Sequence, residues 1–254
     1  MEIVCKYFLY FIIYSFLGWF MEVCVSLWNK HKFINRGFLI GPYCPIYGWG
    51  CLAIILVVGK DTSDILGVFL KAILICSLLE YFTSYFMEKI FNVRWWDYSN
   101  ERFNLEGRIC LRNAVAFGIL GMSFIYVINP IFLSIVNKIP HFVLIIISII
   151  LFISFLIDNI LTFTIMNSLK SKLANVRQDS TSDIDKQVRE ILSKHTFYIN
   201  KLFKSFPKVK FSFPFGEQLM NSIMETLDNM NTKKKERKKR IKELKHELKK
   251  ESKK

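Results

Sequence analysis

Apolar residues run along this chain in five blocks, Tyr7–Leu27, Tyr43–Val58, Ile65–Met87, Ile109–Ile128 and Phe142–Met166, separated by short polar stretches. Blocks near 20 residues match the length a helix needs to cross a bilayer core of about 30 Å, so the pattern predicts five spanning helices. The second block is short and interrupted by Pro42, Pro45, Gly48 and Gly50; a re-entrant or unwound segment is its alternative reading, tolerated where protein or water covers the backbone. Asn129-Pro130 ends the fourth block, and Ile131–Val136 either extends that helix past a proline kink or lies as an outer interfacial segment.

Polar positions inside the blocks are not scattered. Ser15, Gly18, Glu22 and Ser26 fall at helical spacing on the first block, Ser77, Glu80, Ser84 and Glu88 on the third, and Ser154, Asp158 and Thr162 on the fifth. Steps of three and four put each set on one helix face, and faces of small and polar residues pack inward rather than against lipid. Orientation follows from the short loops that carry Lys and Arg. Lys30, Lys32 and Arg36 lie in one such loop and Lys89, Arg94, Arg102 and Arg108 in another, with Arg112 just inside the next helix; the alternate loops hold little beyond Lys6, Lys60 and Lys138. The expected arrangement has the amino terminus outside and the carboxyl terminus in the cytoplasm. It brings Glu22, Glu80, Asp158 and Arg112 to one inner level, with Glu88 at the boundary. A lone carboxylate there costs about 2.5–3.5 kcal/mol, and pairing with Arg36, Arg94, Arg108 or Arg112 is the expected offset.

Composition agrees with a membrane protein: 52% hydrophobic residues and 24 phenylalanines. The net charge of +14 divides unevenly. From Asn167 onward there are 23 Lys+Arg against 11 Asp+Glu, and before it 12 against 10. Residues 1–166 therefore read as a polytopic transmembrane domain and 167–254 as a basic cytoplasmic tail. In the tail, Ile184, Val188, Ile191, Leu192, Leu202 and Phe203, then Leu219, Ile223 and Leu227, recur at helical spacing. These predict two amphipathic helices split at Pro207, Pro214 and Gly216. The last stretch, KKKERKKRIKELKHELKKESKK, is either a charged helix or disordered, suited to anionic lipid headgroups; no aromatic interleaving supports nucleic-acid binding. Six cysteines without a CxxC pair read as small buried hydrophobes, and His31, His141, His195 and His246 make no ligand spacing, so neither a metal nor a cofactor is expected. The first block contains Glu22 and is not followed by a small-residue cleavage site, so no secretory cleavage is expected.

Two polar loops carry the strongest signal. NRGFLIGPYCPIYGWG (Asn35 to Gly50) joins the first and second blocks, and WWDYSNERFNLEGRIC (Trp95 to Cys110) the third and fourth. With Glu80 and Glu88 eight residues apart, these stretches resemble the ABC-transporter type IV, CmpB-like permease family, whose members share NRGFL-GP-CPIYG, an E-x7-E helix end, and WWDYS followed by N-x-x-GR. The resemblance covers about Phe16 to Gly121. It implies an integral membrane permease subunit working with a separate ATPase subunit, since the sequence has no Walker A glycine loop of its own; the chain departs from an ordinary importer subunit in having no EAA-type coupling segment.

The candidate site is accordingly the polar cluster of Glu22, Asn35, Arg36, Glu80, Glu88, Arg94, Trp95, Trp96, Asp97, Tyr98, Asn104, Arg108, Arg112 and Asp158. Trp95, Trp96 and Tyr98 suit a headgroup-level anchor. The cluster reads either as a site that handles substrate or ions, or as a salt-bridged knot fastening loops to helix ends. The expected function is a transport-permease-like subunit in the cell membrane. A scaffold recruiting partners through its tail and a lipid-modifying membrane enzyme are the rivals, the latter without an identifiable nucleophile or metal set.

Overall fold

A computed structural model describes residues 2–59, 62–174, 197–212 and 216–251 of the chain. Among the described residues, eight helices and four two-residue strands make it an all-α membrane protein. In order these are α1 (Glu2–Lys30), α2 (Pro45–Val58), α3 (Ile65–Phe91), β1 (Val93–Arg94), β2 (Asn104–Leu105), β3 (Ile109–Cys110), α4 (Leu111–Ser123), a π-helical turn (Phe124–Ile128), α5 (Asn129–Asn137), α6 (His141–Ala174), α7 (197–205), β4 (Lys210–Phe211) and α8 (Gly216–Glu251).

Among the described residues, four helical stretches are long and apolar enough to cross a membrane: Glu2–Lys30, Ile65–Phe91, Leu111–Asn137 and His141–Ser171. Their outward positions, such as Leu70, Leu74, Ile149 and Ile153, are large, apolar and exposed, as a lipid-facing surface requires. The second block behaves differently from the other four. α2 has 14 residues, about 21 Å of helix, so by itself it falls short of a bilayer core. Pro45 starts it, because the missing N–H of proline costs nothing at a helix's first turn, and the residues before it, 31–44, run without helix. Beyond Ser123 the fourth stretch does not break. It widens into the π turn and continues through Pro130 to Asn137, so Ile131–Val136 extends the helix. Asn129, buried at this irregularity, accepts a hydrogen bond from Tyr14 Oη at 2.8 Å.

Local chemistry sets the other ends. Asp64 caps α3 by accepting from the Gly67 amide at 2.8 Å. At the far end Asn92 takes the left-handed conformation (φ 55°), its amide bonded to Glu88 O at 2.8 Å. Alternation of direction then places the end of α1, the start of α2, the end of α3, the start of α4 and the end of α6 together, and that end carries loops 31–44 and 92–110.

Two apolar cores result. One lies between the spanning helices, around Tyr14, Ile54, Val68, Ala72, Val136 and Leu144. The other lies beyond the helix ends and joins Phe91, Val93, Trp95, Met166 and Leu169 to Tyr198, Ile199, Leu202, Phe203, Val209, Ile223 and Leu227. The tail is thus folded onto the loops. β4 pairs antiparallel with β1, Val93 opposite Phe211 and Arg94 opposite Lys210. The amphipathic tail positions Leu202, Phe203, Ile223 and Leu227 are buried, while Ile184, Val188, Ile191 and Leu192 lie outside the described residues. α8 carries the charged final stretch as helix through Glu251.

Candidate functional site

The stripe read on α1 turns inward at Ser15, Gly18 and Ser26, that on α3 at Glu80 and Ser84, and that on α6 at Asp158 and Thr162; Ser154 is exposed. Each carboxylate meets a loop, and each meets it differently.

Glu22 forms an ion pair with Arg36 at 3.1 Å and accepts from Tyr47 Oη at 2.7 Å. Arg36 also donates to Ser205 O in α7. Asn35 accepts from Trp19 Nε1 at 2.8 Å, its amide reaches Ile40 O at 3.3 Å, and its carbonyl accepts from Ser205 Oγ at 2.7 Å. The NRGFL turn is therefore tied on one side to α1 and on the other to the tail.

Glu88 binds two arginines, Arg94 at 3.1 Å and Arg108 at 2.9 Å, and accepts from Ser212 Oγ at 2.9 Å. Arg108 is buried, reaches Ser84 Oγ at 3.3 Å and lies over the rings of Tyr81 and Tyr85. Arg94 additionally donates to Glu106 O at 3.1 Å. Within the loop, Asn104 donates to Glu101 O at 2.8 Å and accepts from the Gly107 amide at 3.0 Å. Gly107 has φ +67°, and a Cβ there would come within 2.5 Å of Asp97 Oδ1 and Ser99 Oγ, so only glycine closes this turn. Asp97 accepts from Ser99 and pairs with Lys210 of the tail at 2.5 Å. Burial works against the Asp97 charge, yet the bonds from Lys210 and Ser99 hold its carboxyl down to about 2.

Three expectations are corrected. Asp158 is not offset by an arginine. Its two oxygens accept the backbone amides of Ile40 (3.0 Å) and Gly41 (2.7 Å), with Thr162 Oγ1 at 3.1 Å, so it clamps the glycine-proline turn directly. Trp95 is no headgroup anchor: it is 3% exposed, wedged between Phe38 and Phe206 with ring centroids 5.3 Å from each. The tail's apolar face covers the indole that would otherwise reach the interface. Its neighbour Trp96 donates Nε1 to Arg108 O at 3.1 Å. Arg112 stays at the periphery, mostly exposed and paired with Glu101 at 3.3 Å.

Glu80 stands apart. It is 7% exposed, accepts from Tyr98 Oη at 3.1 Å through one oxygen, and its second oxygen is buried with no hydrogen-bond partner among the described residues. The Asn113 side chain lies within bonding reach of both Glu80 and Tyr98. Glu22 is close enough to act on Glu80 electrostatically.

Several participants were missing from the sequence reading. Tyr47, in the first turn of α2, and Tyr43, in the loop before it, reach Glu22 and Asp158. Asn113 is a polar residue one position past Arg112 in an otherwise apolar helix, the one signal that could have found it. Lys201, Ser205, Lys210 and Ser212 come from the tail, some 100 to 170 residues away from their partners, and no local pattern marks them. Lys201 donates to Leu39 O, and burial pushes its ammonium down to about 8 against the opposing pull of Asp158. Among the described residues no group of His, Cys, Asp and Glu has the form of a metal site.

An all-α membrane bundle with charged helix faces meeting two polar loops at one end is the class these features define. The chain belongs to the family described as "Putative ABC-transporter type IV", whose model matches residues 9–163. The match includes both loops and stops short of the tail. No curated protein and no solved structure matches the chain.

Proposed function

We propose that this chain is the multi-pass, permease-like subunit of an ABC-type transporter in the cell membrane, with its amino terminus outside and its tail in the cytoplasm. Its working site is the polar cluster under loops 31–44 and 92–110, and a separate subunit supplies ATP hydrolysis. The observation that carries this reading is the meeting of Glu22 of α1, Tyr47 of α2, Glu80 of α3 and Tyr98 of the WWDYS loop. Groups from separate helices that converge inside a bundle are the usual form of a membrane transport site. The basic loops and the basic tail share one end of the bundle, which supports the orientation.

The rivals draw less support. The scaffold reading needs the tail's apolar faces for a partner, whereas Leu202, Phe203, Ile223 and Leu227 pack on the chain's own loops. A lipid-modifying enzyme that works through a covalent intermediate needs a side-chain nucleophile. The Cys44 thiol feels the charges of Glu22 and Arg36, and burial pushes it up to about 12, leaving it protonated and a poor nucleophile.

Purification of the tagged chain from its native membranes tests the proposal. A nucleotide-binding subunit is expected to accompany it, with ATPase activity that Glu80→Gln lowers at least tenfold while the complex stays assembled. Repeated recovery of the chain without any such subunit overturns the reading.

A further inference from the structure

Among the described residues each carboxylate of the cluster but one is balanced by an ion pair or, for Asp158, by a pair of backbone amides. Glu22 is matched by Arg36, Glu88 and Glu106 by Arg94 and Arg108, Asp97 by Lys210, and Glu101 by Arg112. Asp158 has two backbone amides and the field of Lys201. Glu80 has no cationic partner among the described residues, although it is among the least exposed of these carboxylates. Its neighbours are Glu22 from α1, Tyr47 from α2, Cys76 on its own helix, Tyr98 from the loop and Asn113 from α4. None brings a positive charge, and the only other charged one, Glu22, is already neutralised by Arg36.

A second, independent feature lies one turn away. Ser77 Oγ, three residues before Glu80 on the same face of α3, is buried and also lacks a hydrogen-bond partner among the described residues. Buried polar atoms are almost always satisfied, because leaving one unpaired carries its full desolvation cost. Two orphaned oxygens on adjacent turns, beside an uncompensated charge, call for a bound positive species. The unpaired atoms are both hard oxygens, one of a carboxylate and one of a serine hydroxyl, with the Tyr98 hydroxyl beside them. Such a set suits hard cations rather than thiophilic or imidazole-seeking metals. One negative charge requires one positive charge; a divalent ion would leave an excess charge buried.

We propose that Glu80, with Ser77, Tyr98 and Asn113, forms a binding site for one monovalent cation, either a proton or an alkali-metal ion. This deepens the reading of the same cluster as a working site. Its test uses the isolated chain, so it succeeds or fails whether or not an ATPase subunit is found.

The full-length chain is purified in detergent micelles at mildly alkaline pH in choline chloride, and thermal unfolding is followed as sodium chloride replaces choline or as the pH is lowered in choline alone. A sodium site raises the midpoint by about 5 °C or more at saturation; a proton site gives the corresponding rise on acidification and none with sodium. Glu80→Gln abolishes whichever response the wild type shows. If sodium is the ligand, Ser77→Ala, which keeps the carboxylate, raises the half-effective sodium concentration at least tenfold. Should Glu80→Gln fail to fold, Glu80→Asp takes its place and shifts the half-effective sodium concentration or pH, because the shorter side chain withdraws the carboxylate. Indifference of the wild type to both ions, a wild-type response retained by Glu80→Gln, or an unchanged midpoint in Glu80→Asp overturns the proposal.

Discussion

Glu88 and Glu80 lie on the same face of α3 two turns apart, yet their surroundings are opposite. Glu88 is wrapped by Arg94, Arg108 and Ser212, so its charge fastens the WWDYS loop to the helix end. Removing one partner of a partly buried ion pair strands the others, and Glu88→Gln is expected to destabilise the protein by about 1–3 kcal/mol, a range reduced for the partial exposure of the pair. Chemical unfolding in detergent measures it. The Asp97–Lys210 pair provides the pH counterpart. The Asp97 carboxyl sits at about 2 in the folded chain, below its ordinary value of about 4. Its contribution to holding the tail is therefore complete above about pH 4 and is lost as pH falls through about 2. Trp95 fluorescence, read in a variant whose other tryptophans are phenylalanine, is expected to shift to the red across that window as Phe206 leaves the indole. Asp97→Asn shows part of that shift already at neutral pH.

Among the elements, the hydropathy blocks gave the helices because a bilayer span is a local property of 20 consecutive residues. Glu22, Glu80, Glu88 and Asp158 were legible for a related reason: a carboxylate in an apolar block is conspicuous wherever its partner is. Which partner each takes was not legible. Asp158 finds two amides and not an arginine because the turn at Ile40-Gly41 presents its N–H groups, and backbone direction does not show in residue type. α2 is the element where local pattern misleads most. Gly48 reads as a breaker, but it is a point of close approach between helices, as is Gly18 on the facing α1. A Cβ on Gly18 would fall 2.3 Å from Tyr47 Cγ, and one on Gly48 would fall 2.3 Å from Ser15 Oγ and 2.6 Å from Phe11 O. Gly18→Ala and Gly48→Ala are therefore expected to push α1 from α2 and cost about 1–3 kcal/mol each. At Gly50 the nearest atoms are 3.8 Å away, and Gly50→Ala is expected to be neutral within about 0.5 kcal/mol. Midpoints of thermal unfolding for the three variants rank them; equal losses would mean that α1 and α2 are not in this contact.

At the scale of the whole molecule, the tail changes what the loops are. The family match ends at residue 163, whereas the core that holds loops 31–44 and 92–110 in place is completed by residues 198–227. A loop of 14 residues without helix has few apolar contacts of its own, and the tail supplies them: Tyr198 Oη donates to Phe38 O at 2.8 Å, Ser205 Oγ to Asn35 O at 2.7 Å, and the Ser212 amide to Asn92 O at 2.9 Å. The compositional break at Asn167 pointed to a separate appendage because charge averages over a segment. The few apolar positions that dock are diluted among lysines. If the tail is part of the folded unit, β1 and β4 stay paired in the intact membrane. In a chain with its six cysteines replaced, Val93→Cys and Phe211→Cys face each other across an antiparallel pair, where Cα atoms are about 4.5–5.5 Å apart, within the span a disulfide bridges. Mild oxidation of native membranes is then expected to cross-link most of the protein within the chain, and Asp97→Asn with Lys210→Ala to reduce the yield severalfold. A cysteine moved to exposed Leu244 on α8 should not couple to position 93. Equal coupling from both positions would mean that the tail meets the loops only by collision, and the loop geometry around Glu22 and Glu80 would then have to be held by the helices alone.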